Sequence, residues 1–163
     1  MTGPEVCPWV IGPDGLAHLT EVQAAAWSGL MRVHRRITRE LEGALQARHG
    51  LSLSALEALG RLAAAPDRRL RIARLAERIE LSLSRTSRLL DALEARGLVE
   101  HQPCPEDSRA SNVQLTAAGL AVAQQAQADH LADVRRLFLD RLTPEQIRAL
   151  AAAFGQLVPP AAR

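Results

Sequence analysis

Five residues within seven positions, Ser82, Ser84, Arg85, Ser87 and Arg88, carry the side chains in this chain best suited to touching a nucleic acid. Serine hydroxyls are short donors and acceptors that fit a crowded groove. An arginine fork matches guanine and phosphate with two parallel hydrogen bonds. Placed at the start of a helix, these groups lie beside free backbone N–H groups and the positive end of the helix dipole. Arginine is dense around them. Residues 61–88 hold Arg61, Arg68, Arg69, Arg71, Arg74, Arg78, Arg85 and Arg88 against Asp67, Glu77 and Glu80, a local positive excess that the whole-chain net charge of +2 conceals. A solvated face on an ordinary helical hairpin gives a similar pattern, so the cluster alone leaves both readings open.

A second basic group lies further on, in the loop Pro103-Cys104-Pro105-Glu106-Asp107-Ser108-Arg109-Ala110-Ser111. Arg109 at the tip of such a loop suits a narrow minor groove, whose potential attracts a guanidinium. Asp107 fits two roles, pairing with Arg109 to hold it extended or simply forming the turn. For catalysis the chain offers no phosphate loop, no paired carboxylates with a pocket signature and no nucleophile motif, and an enzyme is not expected. Of the histidines at 18, 34, 49, 101 and 130, His130 with Asp129 and Asp133 has a spacing that one metal ion could share. Polar residues on an exposed helix account for it equally, and neither a metal nor another cofactor is assigned. Cys7 and Cys104 form no disulfide framework.

Periodicity says what positions these groups. Residues 1–19, with Pro4, Pro8 and Pro13 and three glycines, read as an irregular arm with Trp9 as its candidate anchor. A long helix is expected from Thr20 to Arg48, opened by the reciprocal cap of Thr20 and Gln23 and stopped at Gly50. Its stripe of Val22, Ala26, Leu30, Val33, Ile37, Leu41 and Leu45 needs a cover, which a partner subunit would supply. Ser52 opens a second helix that Pro66 closes. A third runs near Ile72–Ile79, and Glu80-Leu81-Ser82 turns into a fourth that Gly97 ends. Its inward face would be Thr86, Leu89, Leu90 and Leu93. The period then falls to two in Leu98–Gln102 and Asn112–Leu115, a hairpin around the Arg109 loop. Thr116 caps a fifth helix expected to reach Arg141, and Thr143-Pro144-Glu145-Gln146 starts a sixth that Pro159-Pro160 ends.

Aromatic residues make up only 2% of the chain, so leucine and alanine must fill the core. All 20 basic residues are arginine, which suits phosphate recognition but equally follows from a GC-rich genome. No apolar run reaches the roughly 20 residues of a membrane span. With Arg32 the first basic residue, no signal peptide is expected either, and a cytoplasmic location follows. Two short helices joined by a tight turn and followed by a hairpin make a winged helix-turn-helix. The expected fold is mainly α with a small β-hairpin wing, flanked by N- and C-terminal dimerisation helices.

The run from Leu81 to Glu100, Asp107-Ser108-Arg109-Ala110, and Val113-Gln114-Leu115-Thr116-Ala117-Ala118-Gly119 together resemble the MarR family (multiple antibiotic resistance regulators) over about residues 20–158. The resemblance implies a homodimeric, sequence-specific regulator that binds double-stranded DNA at a pseudo-palindromic operator and usually represses until a small ligand releases it. It also implies a division into an arm (1–19), helical dimerisation segments (20–50 and 117–158) and a DNA-binding domain (51–116). DNA contacts then fall to Ser82, Ser84, Arg85, Ser87, Arg88, Arg109 and Asp107. Small aromatic or phenolic effectors in the family bind where the first helix meets the winged lobe, which points to Trp27, Met31, His34 and Arg35; the same residues also suit plain core and surface roles. Two departures weaken the wing. His101 stands where relatives commonly have arginine, and Ser108 where they often have a second basic residue. Some relatives sense zinc, and peroxide-sensing ones keep their cysteine in the first helix, where this chain has none. The alternative is a helical dimeric protein–protein interaction module with a degenerate winged helix.

Overall fold

The computed structural model describes residues 9–103 and 111–157, which pack as two compact units divided after Glu40. In the first unit, strands β1 (Val10–Ile11) and β2 (Ala17–His18) pair antiparallel, so part of the expected irregular arm is a small hairpin. Its turn is held by Asp14, whose carboxylate accepts from the Leu16 N–H at 3.0 Å and meets His18 Nε2 at 2.9 Å. Both bonds keep the Asp14 carboxyl below the usual carboxylate range, the His18 contact most. Gly15 takes the positive φ of 76° that the turn requires. The signal was in the sequence, because Pro13-Asp14-Gly15 is a turn former. Trp9 anchors nothing described here and is exposed.

Helix α1 (Glu21–His49) starts as expected, with Thr20 N–H donating to Gln23 Oε1 at 3.0 Å and the Gln23 N–H returning to Thr20 Oγ1 at 3.4 Å. Val22, Leu30 and Val33 of its stripe stay exposed in this unit, as does Trp27. Leu41 and Leu45 belong to the second unit and are buried there.

In the second unit α1 stops at Gly50 (φ 63°), and α2 (Leu53–Ala63) begins three residues on. Two N–H groups at its start are satisfied, Ala55 by Ser52 Oγ at 3.0 Å and Leu53 by Glu42 Oε2 at 2.9 Å. A 3₁₀ turn at Pro66–Arg68 follows, with Asp67 and Arg68 both at positive φ. It leads into β3 (Arg69–Arg71), a strand that periodicity does not reveal because three residues carry a single apolar side chain, Leu70. Then come α3 (Ile72–Arg78), α4 (Leu83–Glu94), β4 (Val99–Pro103), β5 (Ser111–Leu115), α5 (Ala117–Leu137) and α6 (Pro144–Leu157). The sheet order is β3-β5-β4, antiparallel throughout, with His101 opposite Val113 and Leu70 opposite that same residue on the other side.

The core is aliphatic. Leu45, Leu59, Leu62, Leu75, Leu90, Val99 and Val113 are fully buried, with Ala58 and Ala126 between them. Leucine and alanine let helices and sheet approach closely, and Gly119 shows how closely. A Cβ there would overlap the Leu98 carbonyl oxygen. Thr116 seals the same joint, its Oγ1 donating to Gly97 O at 2.8 Å while accepting from Gly119 N–H at 2.9 Å. Helix α5 ends at Leu137, not Arg141, because Phe138 leaves helical geometry (φ −131°, ψ −64°) before a 3₁₀ turn at Leu139–Arg141.

Candidate nucleic-acid interface

Helices α3 and α4 are joined by a turn built on Glu80 at φ 54°, a left-handed conformation uncommon outside glycine. The turn is held from both ends. Leu81 N–H returns to Ala76 O at 3.1 Å, and Ser82 caps α4 by accepting from the Arg85 N–H at 3.4 Å. Thr86 is fully buried behind it and donates its hydroxyl to Ser82 O at 3.1 Å. With Thr86, Leu90 and Leu93 turned inward, the first turn of α4 must face outward on its other side.

That face carries the expected residues. Ser82, Ser84, Arg85 and Arg88 are exposed, and Ser87 is half-buried. The two arginines differ. Arg88 lies back along the helix, with Nη2 3.3 Å from Ser84 Oγ and Nε 3.4 Å from Ser84 O. The Arg85 guanidinium has no intramolecular partner among the described residues.

Sequence reasoning missed Leu83. It occupies the first helical position of α4 among the hydroxyls and is 55% exposed. Hydroxyls and arginines are the groups expected to touch DNA there, yet a thymine methyl offers an apolar surface in the major groove. The arginine excess is also smaller than the count between 61 and 88 implies. Arg61 pairs at 3.1 Å with Glu57, an acid just outside that window, while the Arg74–Glu77 pair at 3.0 Å is already in the count. Arg68, Arg69 and Arg78 remain exposed.

Behind α4 stands the wing. The end of α4 turns through Gly97 (φ 70°), with Leu98 N–H reaching back to Leu93 O at 3.0 Å, so the chain passes directly into β4. Strands β4 and β5 are tied by Gln102 Nε2 donating to Gln114 Oε1 at 2.5 Å. Gln114 in turn donates to Asp67 O at 3.3 Å and so holds the turn before β3. His101 N–H donates to Glu94 Oε1 at 2.7 Å, joining β4 to the end of α4. This bond and the His101 ring hold the Glu94 carboxyl below the usual range. Asp107, Arg109, Ser108 and Cys104 lie outside the described residues.

The other candidate groups take different positions. Trp27, Met31, His34 and Arg35 share one strip of α1; Trp27 is 59% exposed, Met31 half-buried, and His34 and Arg35 exposed. Asp129 and Asp133 are engaged by other partners than a shared ion. His49 Nε2 lies 2.8 Å from Asp129, and Asp133 binds Arg48 and, at 2.9 Å, Arg136. Those two arginines, Arg136 foremost, keep the buried Asp133 carboxyl below its usual range. His130 Nδ1 is buried without a hydrogen-bond partner among the described residues, and no group of three or more acidic, His or Cys side chains among them is arranged to hold a metal. No helix among the described residues is long and apolar enough to cross a membrane.

Comparison with known proteins follows the same lines. The model of the MarR family matches residues 49–110. Among solved structures, the chain is similar to AbsC, a MarR family transcriptional regulator from Streptomyces coelicolor, at 33% identity, covering 85% of this chain and 93% of that one with a TM-score of 0.78. It is similar to Sco3205, a MarR family transcriptional regulator from the same organism solved in complex with DNA, at 31% identity over 88% of this chain and 93% of that one, TM-score 0.78. Mutant MarR from E.coli, complexed with operator DNA, shares the fold at 23% identity over 85% of this chain and 96% of that one, TM-score 0.71. No curated protein in the comparison matches the chain.

Proposed function

The chain belongs to the MarR family of winged-helix transcriptional regulators, and on that premise we propose that it binds duplex DNA as a homodimer, with α4 in the major groove and the wing alongside. The observation that carries this reading is Arg85. An exposed guanidinium with no intramolecular partner among the described residues, one turn into a capped helix, is available to a ligand outside the chain. Arg85 reads a guanine edge, Leu83 meets a thymine methyl, and Ser82, Ser84 and Ser87 make short polar contacts. Arg88, drawn back towards Ser84, sits closer to phosphate. Arg109, helped by Asp107, extends the contact into the flanking minor groove.

Each unit exposes its own apolar groups, Val22, Leu30 and Val33 on α1 and Leu131, Phe154 and Leu157 on α5 and α6. A second copy covers them, which assigns 20–50 and 117–158 to dimerisation, 51–116 to DNA binding and 1–19 to an arm. A twofold dimer reads an inverted repeat with half-sites about 10 base pairs apart, or a multiple of that spacing. The regulator represses, and a small aromatic or phenolic acid bound at Trp27, Met31, His34 and Arg35 releases it.

Gel-shift with the duplex flanking the chain's own gene, together with light scattering, tests this reading. A dimer that shifts that duplex at low salt and protects a symmetric site is expected. A dimer that shifts no duplex supports the interaction module instead, and a monomer at micromolar concentration removes the twofold model. Quenching of Trp27 fluorescence by a small phenolic acid in a Trp9→Phe background checks the effector site.

A further inference from the structure

Glu94 closes the last turn of α4, and His101 is the middle residue of β4. One carboxylate holds two groups of one residue. Glu94 Oε1 accepts the His101 main-chain N–H at 2.7 Å, and Oε2 lies 2.9 Å from the ring Nδ1. Asp91, three residues earlier on the helix, places Oδ1 3.9 Å from the ring Nε2. The imidazole thus stands between two carboxylates of the same helix. Across the sheet its neighbour on β5 is the buried, uncharged Val113, and strand alternation turns Glu100 and Gln102 to the opposite face. Arg88, three residues before Asp91 on the helix, is bonded back to Ser84.

A neutral imidazole carries one N–H and so can donate to one of these two carboxylates at a time. The imidazolium carries two N–H groups and a positive charge, and it satisfies both. Imidazoles as a class change charge close to neutral pH. Taking up a proton therefore adds a second charged contact between β4 and the end of α4. We propose that His101 and Glu94 are positioning residues forming a protonation-dependent clamp, which fixes the wing against the recognition helix and raises affinity for DNA as pH falls through the imidazole range. The clamp rests on the reading that α4 and the wing both contact DNA.

The test uses the full chain and the tightest duplex recovered from a randomised DNA pool, with Kd measured at constant ionic strength between about pH 6 and pH 8. Affinity of the unaltered protein is expected to rise about threefold to fivefold towards the acid end, the effect of strengthening a partly exposed ion pair in each subunit. His101→Gln, which keeps the main-chain N–H, and Glu94→Gln should each flatten that dependence. His101→Arg should bind tightly and equally across the range, because a guanidinium keeps its charge and its paired donors. This charged rescue is not expected of a residue that only fills space. A His101→Gln protein that keeps the full pH dependence overturns the clamp, as does an unaltered protein that binds DNA equally at both ends. A pool that yields no enriched duplex overturns the DNA-binding reading itself.

Discussion

Where α1 ends, Arg48 and Arg136 both bind Asp133, and His49 meets Asp129; where α4 begins, Arg85 binds no side chain among the described residues. Both regions belong to the same compact unit, and both are built from arginine on helices. At the first, the shared acid is buried and its charge is matched from two sides. Desolvation would make that carboxylate expensive if either partner were lost. At the second, the arginine is exposed and only its backbone is constrained. The difference separates two uses of one residue type. Matched charge around a buried acid holds elements together, whereas an unmatched exposed charge remains available to a ligand.

The largest effect should come from breaking the matched side. Asp133→Ala removes the acid that Arg48 and Arg136 share, and with it two charge-assisted hydrogen bonds, and should cost about 3 kcal/mol of stability, read from urea unfolding, with little direct effect on base recognition. This contribution has a pH signature. The Asp133 carboxyl is held below its ordinary value of 3.8, so its stabilisation is complete above that value and is lost as pH falls through the lowered folded value. The stability gap between the unaltered protein and Asp133→Ala should therefore close in acid; a gap that persists unchanged there would mean the cost comes from packing.

On the unmatched side the readout reverses. Arg85→Ala should leave unfolding unchanged and cost about 2 kcal/mol of specific binding, relaxing preference at one position in each half-site. An equal loss on specific and random DNA would reduce Arg85 to a phosphate clamp. Leu83→Ala should cost about 1 kcal/mol of binding, confined to sites with thymine at one position, as competition between T and U duplexes would reveal. The smallest effect is expected of Arg88→Ala. It should weaken all duplexes alike and lower the salt slope by about one per subunit, because a residue drawn back along the helix reaches phosphate before bases. If Arg88 proves more specific than Arg85, the contrast between the free and the folded-back arginine fails.

Much of this arrangement was legible because it is written locally. Thr20 with Gln23, Ser52, Thr116, and Thr143 with Gln146 are caps whose chemistry acts within four residues, and each helix starts where its cap stands. Gly50 and Gly97 end helices because both positions need positive φ. The recognition helix was readable for the same reason: buried Thr86, Leu90 and Leu93 at helical spacing determine which serines and arginines face outward. One local signal was passed over, the Pro13-Asp14-Gly15 turn, while β3, three residues with one apolar side chain, is too short for periodicity to mark.

What the sequence determined by itself, then, was the order of the elements and the outward face of α4, since capping, periodicity and turn chemistry depend on residues a few positions apart. What only the tertiary structure decided were pairings across long separations. Asp133 meets Arg48 from 85 residues away, and Asp129 meets His49 from 80. Periodicity names the face on which a charge lies. Which opposite charge meets it depends on how separate elements pack, and that is fixed by burial of the shared aliphatic core.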